Sequence, residues 1–251
     1  MSRAGRVRAE ATAAARSFLR RRTAVFFTFF FPVLLVIIFG VVVRTGGTGG
    51  GLFALPPAYY VPGYLAVVVL FTPLSRVGSE VARHRDSARF EKLATTPLGR
   101  AEWLLAQTVV NAGVIGLAAL LIFALVVVAT GADVPLGAPT LLVIPYVLLG
   151  VVLFCGLGAV LGRLADSQDG VIAASNGVAL PLLFLSETFV QPELLPGWLP
   201  VWASPLTYFS RGIRAVTYEP AGGSLGVDLV VLAALAVVLF VAGAAAIPRT
   251  D

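Results

Sequence analysis

Residues 24–43 read AVFFTFFFPVLLVIIFGVVV, twenty consecutive positions with no charged side chain and a single hydroxyl, that of Thr28. A hydrocarbon core about 30 Å thick is crossed by about 20 residues of α-helix rising 1.5 Å each. The stretch therefore has the length and chemistry of a transmembrane helix, and it is not alone. Working outward, comparable apolar blocks occupy 58–74, 103–129, 141–161, 171–190 and 226–247. Soluble domains carry about a quarter charged residues, whereas here only 12% of 251 residues are charged and 58% are hydrophobic. The expected fold class is an all-α integral membrane protein, one domain over 1–251 with six transmembrane helices. Disorder and a secreted disulfide scaffold are excluded by the same composition. Cys155 is the sole cysteine, so no intrachain disulfide can form.

Pro32, Pro62, Pro145 and Pro181 fall inside these blocks. Helix breaks are tolerated in a bilayer when neighbours satisfy the freed carbonyls, so the segments read as kinked helices. The first block is too long for a signal-peptide core, and 41–51 contains no A-x-A site, which makes it a retained anchor. The glycine-rich run 46–51 reads as a flexible connector.

The net charge is +5. The basic residues stand beside apolar blocks rather than on a soluble face, which argues against nucleic acid as a partner. Fifteen of the 18 Lys and Arg fall in the tail, 76–100, Arg163 and Arg249; Arg44, Arg211 and Arg214 fall on the other side. Positive loops stay inside, so both termini are expected in the cytoplasm, which six spans allow. Seventeen of the 18 are arginine, a skew that fits a GC-rich genome better than a chemical role. The tail 1–23 reads as a helix rich in Ala and Arg, with Phe18 and Leu19 beside Arg20, Arg21 and Arg22. Such a segment lies at the headgroup surface; its alternative reading is a topology signal alone.

Catalytic chemistry finds few residues to work with. A phosphate-binding P-loop needs G-x-x-x-x-G-K-[ST], but the single lysine, Lys92, sits between Glu91 and Leu93 without those glycines. One histidine (His84), one cysteine and Met1 do not make a transition-metal relay, and His84 lies among charges rather than beside a membrane serine. The chain reads as no enzyme and binds no cofactor of its own.

The stretch 76–100 is the most informative. Glu80, Arg83, His84, Ser87 and Glu91 share one helical face, with Arg76–Glu80 and Glu80–His84 paired four apart, while Phe90, Leu93 and Ala94 supply an apolar side. Thr95–Arg100 interrupts this helix, and Pro97 is placed to open the next. A charged amphipathic helix between two spans is expected to dock on something; the alternative is a solvated linker.

Residues 80–105, EVARHRDSARFEKLATTPLGRAEWLL, resemble the signature of type-2 ABC exporter permeases, the membrane subunits of the daunorubicin-resistance and polysaccharide-export type. Pro62-Gly63-Tyr64-Leu65 is similar to the Pro-Gly opening of that family's second span. Leu194-Leu195-Pro196-Gly197-Trp198-Leu199-Pro200 and Ser204-Pro205-Leu206-Thr207-Tyr208, followed by Arg211, resemble its outer re-entrant element, here 191–214. One departure is Ser186-Glu187, where the family commonly has Ser-Gly.

The resemblance implies a permease subunit of an ATP-driven exporter, with two copies, or one and a related chain, forming the pathway. Each would seat a separate nucleotide-binding subunit that carries the ATP and Mg. Glu80, Arg83, Asp86, Phe90, Glu91, Leu93 and Pro97 would couple to that subunit, the helix inserting into a groove by apolar anchors and a charged rim. Glu187 is either a solvated rim residue or a gate or pathway contact, paired with Arg211 or Arg214. Trp198, Trp202, Tyr208 and Phe209 fit an outer interfacial belt. Asp166 and Asp169 read as a turn cap or a second ATPase contact. The implied location is a prokaryotic plasma (inner) membrane, multi-pass and in contact with lipid. The nearly uncharged spans suit an amphiphilic or hydrophobic substrate (drug, lipid, lipid-linked glycan). Two rivals stand beside this reading. An ion-coupled secondary transporter would want acids at mid-membrane, and Glu187 and Asp228 lie towards span ends. A non-transporting scaffold would dock the same helix on some other protein.

Overall fold

The computed structural model describes residues 2–42, 55–135, 137–218 and 224–248, and these form nine α-helices joined by short 3-10 turns. The connector 46–51, Arg44 and Arg249 lie outside the described residues. Helix α1 (Arg3–Arg20) is opened by Ser2, whose hydroxyl accepts from the Gly5 amide at 3.2 Å. Arg21 breaks the helical path, and α2 (Arg22–Val36) continues in π-helical form through Ile37–Val42.

Helix α3 (Val61–Asp86) runs twelve residues past the end expected at Leu74. Its polar second half is kept helical by neighbours that satisfy its charges, as described below. The single amphipathic helix expected from Glu80 through Ala94 is therefore corrected. It is split at Ala88, whose φ of 52° is left-handed, a conformation costly for a residue with a Cβ. Arg83 belongs to the end of α3, and Phe90, Glu91 and Leu93 to the short α4 (Arg89–Ala94).

Helix α5 (Arg100–Thr130) starts where the Glu102 carboxylate accepts from the Gly99 amide at 3.0 Å and stops at Gly131, φ 65°. Then come α6 (Val143–Leu164), α7 (Gln168–Phe184), α8 (Pro205–Thr217) and α9 (Leu225–Ala246). Among the described residues, five segments are long and apolar enough to cross a membrane: Arg22–Val42, Pro57–Asp86, Arg100–Thr130, Ala138–Leu164 and Leu225–Ala246. The block 171–190, expected as a further span, is helical only to Phe184. The 17 residues of α7 reach about 25 Å, and non-helical chain from Ser186 to Val190 completes the block.

Helices α3 and α6 form the centre; most of α3 is buried, while α2 and α9 bury little. Backbone-to-backbone approach at glycine makes this possible. A Cβ on Gly158 would come within 2.6 Å of the Leu74 carbonyl, and one on Gly162 within 2.4 Å of Gly78 O, both on α3. On another face of α6, Gly156 would meet Leu239 O at 2.3 Å on α9. Between lipid-facing helices, such close contact replaces the hydrophobic drive that water supplies elsewhere. The outward faces carry Phe26, Phe30, Val128 and Val237, an exposed apolar belt that suits lipid.

Candidate functional site

Two ends and one groove gather the candidate residues. At the first end, Glu80 of α3 is buried and accepts from Arg83 and, at 3.2 Å, from Arg21 at the α1–α2 junction; His84 Nε2 lies 3.7 Å away. Arg76 sits over the Phe18 ring at 4.5 Å and donates to Asn111 Oδ1 at 3.3 Å. His84, Phe90 and Trp103 stand edge-on to one another with centroids 5.3–5.4 Å apart, tying α3, α4 and α5 together. Arg6 of α1 grips Glu102 through two bonds of 2.9 and 2.5 Å, and the carboxylate raises the arginine above its ordinary pKa. Burial pushes the Glu10 carboxyl of α1 up, against the opposing pull of Arg89 on α4.

This sorts the coupling candidates. Glu80 and Phe90 are buried and brace the base. Arg83 and Leu93 are half-buried, and Asp86, Glu91 and Pro97 are exposed. Residues 86–97 thus form an exposed tip between two transmembrane helices. Its flanks are anchored, since Arg85 donates to Ala165 O at 2.8 Å and Arg100 to Ile247 O at 2.9 Å. Sequence reasoning missed Arg21, Arg85, Arg100 and Trp103. Arg85 and Arg100 each cap the last carbonyls of a helix remote in sequence, α6 and α9, so no local signal marks them. The turn cap expected from Asp166 and Asp169 is instead Ser167, whose hydroxyl accepts from the Gly170 amide at 3.0 Å; both aspartates are exposed.

At the other end, Glu187 is 3% exposed, so it is no solvated rim residue. Arg211 of α8 holds its carboxylate through both oxygens, with Nε at 2.7 Å from Oε2. Arg214 donates instead to the Glu187 carbonyl at 2.7 Å and lies 4.0 Å over the Tyr59 ring. A hydroxyl chain, Ser186–Thr188–Ser210, runs beside this clamp. Phe189 then packs where a Cβ on Gly63 would be, within 2.6 Å. Trp198 and Trp202 are exposed, and Phe209 is buried.

Between the ends, α2, α3 and α7 enclose a groove of about 850 Å³. Phe27, Phe31, Phe39, Phe71, Phe184 and Phe189 line its length, while Arg21, Arg76, Ser79 and Glu80 line one end. It follows α3 from Val67 to Glu80, about 20 Å.

A helical membrane domain with a charged tip between two spans defines a class, and the sequence comparison gives it a family. Residues 7–218 match the family described as ABC-2 type transporter, and the chain belongs to that family as an ABC transporter permease. It is 37% identical over 83 residues to the daunorubicin resistance ABC transporter permease protein DrrB1 of Streptomyces coeruleorubidus. That match covers 32% of this chain and 29% of the relative's length.

Proposed function

We propose that the chain is the membrane-spanning subunit of an ATP-driven exporter, powered by a separate nucleotide-binding subunit docked on the 86–97 tip. The observation that carries this reading is the contrast between an exposed tip and a braced base. Asp86, Glu91 and Pro97 are exposed, while Glu80, Phe90, Arg85 and Arg100 fix the tip's roots to α3, α5, α9 and the α6–α7 turn. A push on such a tip moves the helices rather than bending a loop, which is what coupling between two packed states requires. Both termini and the tip face the cytoplasm of a prokaryotic inner membrane, with α1 at the headgroup surface; α7 with 185–190 completes a sixth crossing. A second copy, or a related chain, covers the phenylalanine groove, and the substrate is an amphiphile whose apolar body lies on those rings. The name of the relative puts drugs first among such amphiphiles. Ion coupling is disfavoured because Glu187, one of the two acids expected towards span ends, is already held by Arg211.

Co-purification with a Walker-motif ATPase encoded beside this chain tests the assignment. Glu91→Arg, an exposed charge reversal, is expected to cut co-elution about tenfold or more while leaving the permease monodisperse, and Leu93→Asp to abolish it. Unchanged co-elution with both variants, or transport in vesicles driven by an ion gradient without ATP, would overturn it.

A further inference from the structure

A second groove, of about 710 Å³, lies between α1 and the start of α5, and the exporter reading leaves it unused. Arg3, Val7, Arg8 and Ala11 form its α1 wall. Arg3, Val7 and Ala11 recur four apart on one stripe, as one face of a helix does. The α5 wall presents Leu105 and Val109, 44% and 52% exposed and one turn apart on a helix apolar enough to cross a membrane. Glu102 also lines the groove, but its carboxylate is taken up by Arg6 at 2.9 and 2.5 Å. With that charge cancelled, Arg3 and Arg8 leave the rim cationic above an apolar floor.

The geometry points to a binding site for one anionic glycerophospholipid, its phosphate on Arg3 and Arg8 and its first acyl carbons on Leu105 and Val109. The order of the walls matches the order of a lipid at the leaflet surface, charge outside and hydrocarbon within. The small Ala4, Ala11 and Ala15 side chains leave the width an acyl chain needs. A zwitterionic lipid would bring its own cation against the arginines. Free phosphate would leave Leu105 and Val109 without an occupant.

The test is a titration of the delipidated full-length chain in neutral detergent, reading bound lipid by native mass spectrometry. Phosphatidylglycerol is expected to bind in preference to phosphatidylcholine, and inorganic phosphate not to displace it. Arg3→Gln with Arg8→Gln is expected to weaken phosphatidylglycerol about 30-fold, from the attraction of two arginines near an anionic surface. Arg16→Gln, which removes an exposed α1 charge outside the groove, is expected to change it less than about twofold. Val109→Trp fills the floor without altering charge and is expected to reduce binding as well; it decides the matter if loss of the two arginines disturbs α1. Equal binding of phosphatidylcholine, equal loss in Arg16→Gln, displacement by phosphate, or unaltered binding in Val109→Trp would each overturn the site.

Discussion

Glu187 shows how one side chain organises an end of the molecule. Its carboxylate receives both arms of Arg211, and its carbonyl receives Arg214, so the turn after α7 is stitched to α8 at two points. Breaking a buried ion pair by removing one partner costs about 3–5 kcal/mol. The Arg211 side chain is 43% exposed and can rehydrate, so the expected cost of Glu187→Ala is smaller, about 1–3 kcal/mol. Thermal unfolding in detergent should show the melting temperature falling by several degrees, with Glu187→Gln falling less because it still accepts a bond. Alanine without effect would show that the pair contributes nothing. Local sequence exposes the acid at a span end but not its partner: Arg211 and Arg214 are both candidates, and the choice between them depends on the rotation of α8, which packing sets. The same geometry accounts for the departure at Ser186-Glu187. Ser186 and Glu187 are buried side by side, and the charge that a glycine would not bring is neutralised by Arg211.

Among elements, five of the six expected spans were legible because twenty apolar residues have one stable form in lipid, a helix. Their ends were not. Helix α3 outruns its apolar block because Arg21 and Asn111, remote in sequence, satisfy Glu80 and Arg76, and α7 falls short of its block. Helix α8 hid among prolines, although Pro205 stands at its first turn, where proline favours a helix start. The tip could be read as charged and exposed; its break at Ala88 could not, since alanine announces no left-handed turn. Glycine in α6 was equally mute, because only the partner backbones show which glycines lie at a crossing. Gly158→Leu would drive its side chain into the α3 backbone, and Gly156→Leu into α9. Each is expected to abolish the monodisperse peak in size-exclusion chromatography of the solubilised protein. Gly177→Leu on α7, where a Cβ meets nothing within 4 Å, should leave the peak intact. Equal tolerance at all three positions would mean that the close α3–α6–α9 contact does not hold the bundle together.

At the scale of the whole molecule, the phenylalanine groove is the face on which the proposed second copy would pack. Its flanks are hydrocarbon, and one end holds Arg21, Arg76, Ser79 and Glu80. The proposed second copy would cover the open side across a two-fold axis, since such an interface places the same patch on both partners. Single cysteines report on this directly, because the native Cys155 is fully buried and stays silent to oxidants. Phe31→Cys and Phe184→Cys, on the two rims of the groove and both exposed, should give disulfide-linked dimers in native membranes under mild oxidation. Val128→Cys and Val237→Cys, exposed on α5 and α9 away from the groove, should stay monomeric. Cross-links at Val128 or Val237 with none at Phe31 or Phe184 would move the pairing face to the other side of the bundle, and the groove would lose its role as half of a shared pathway.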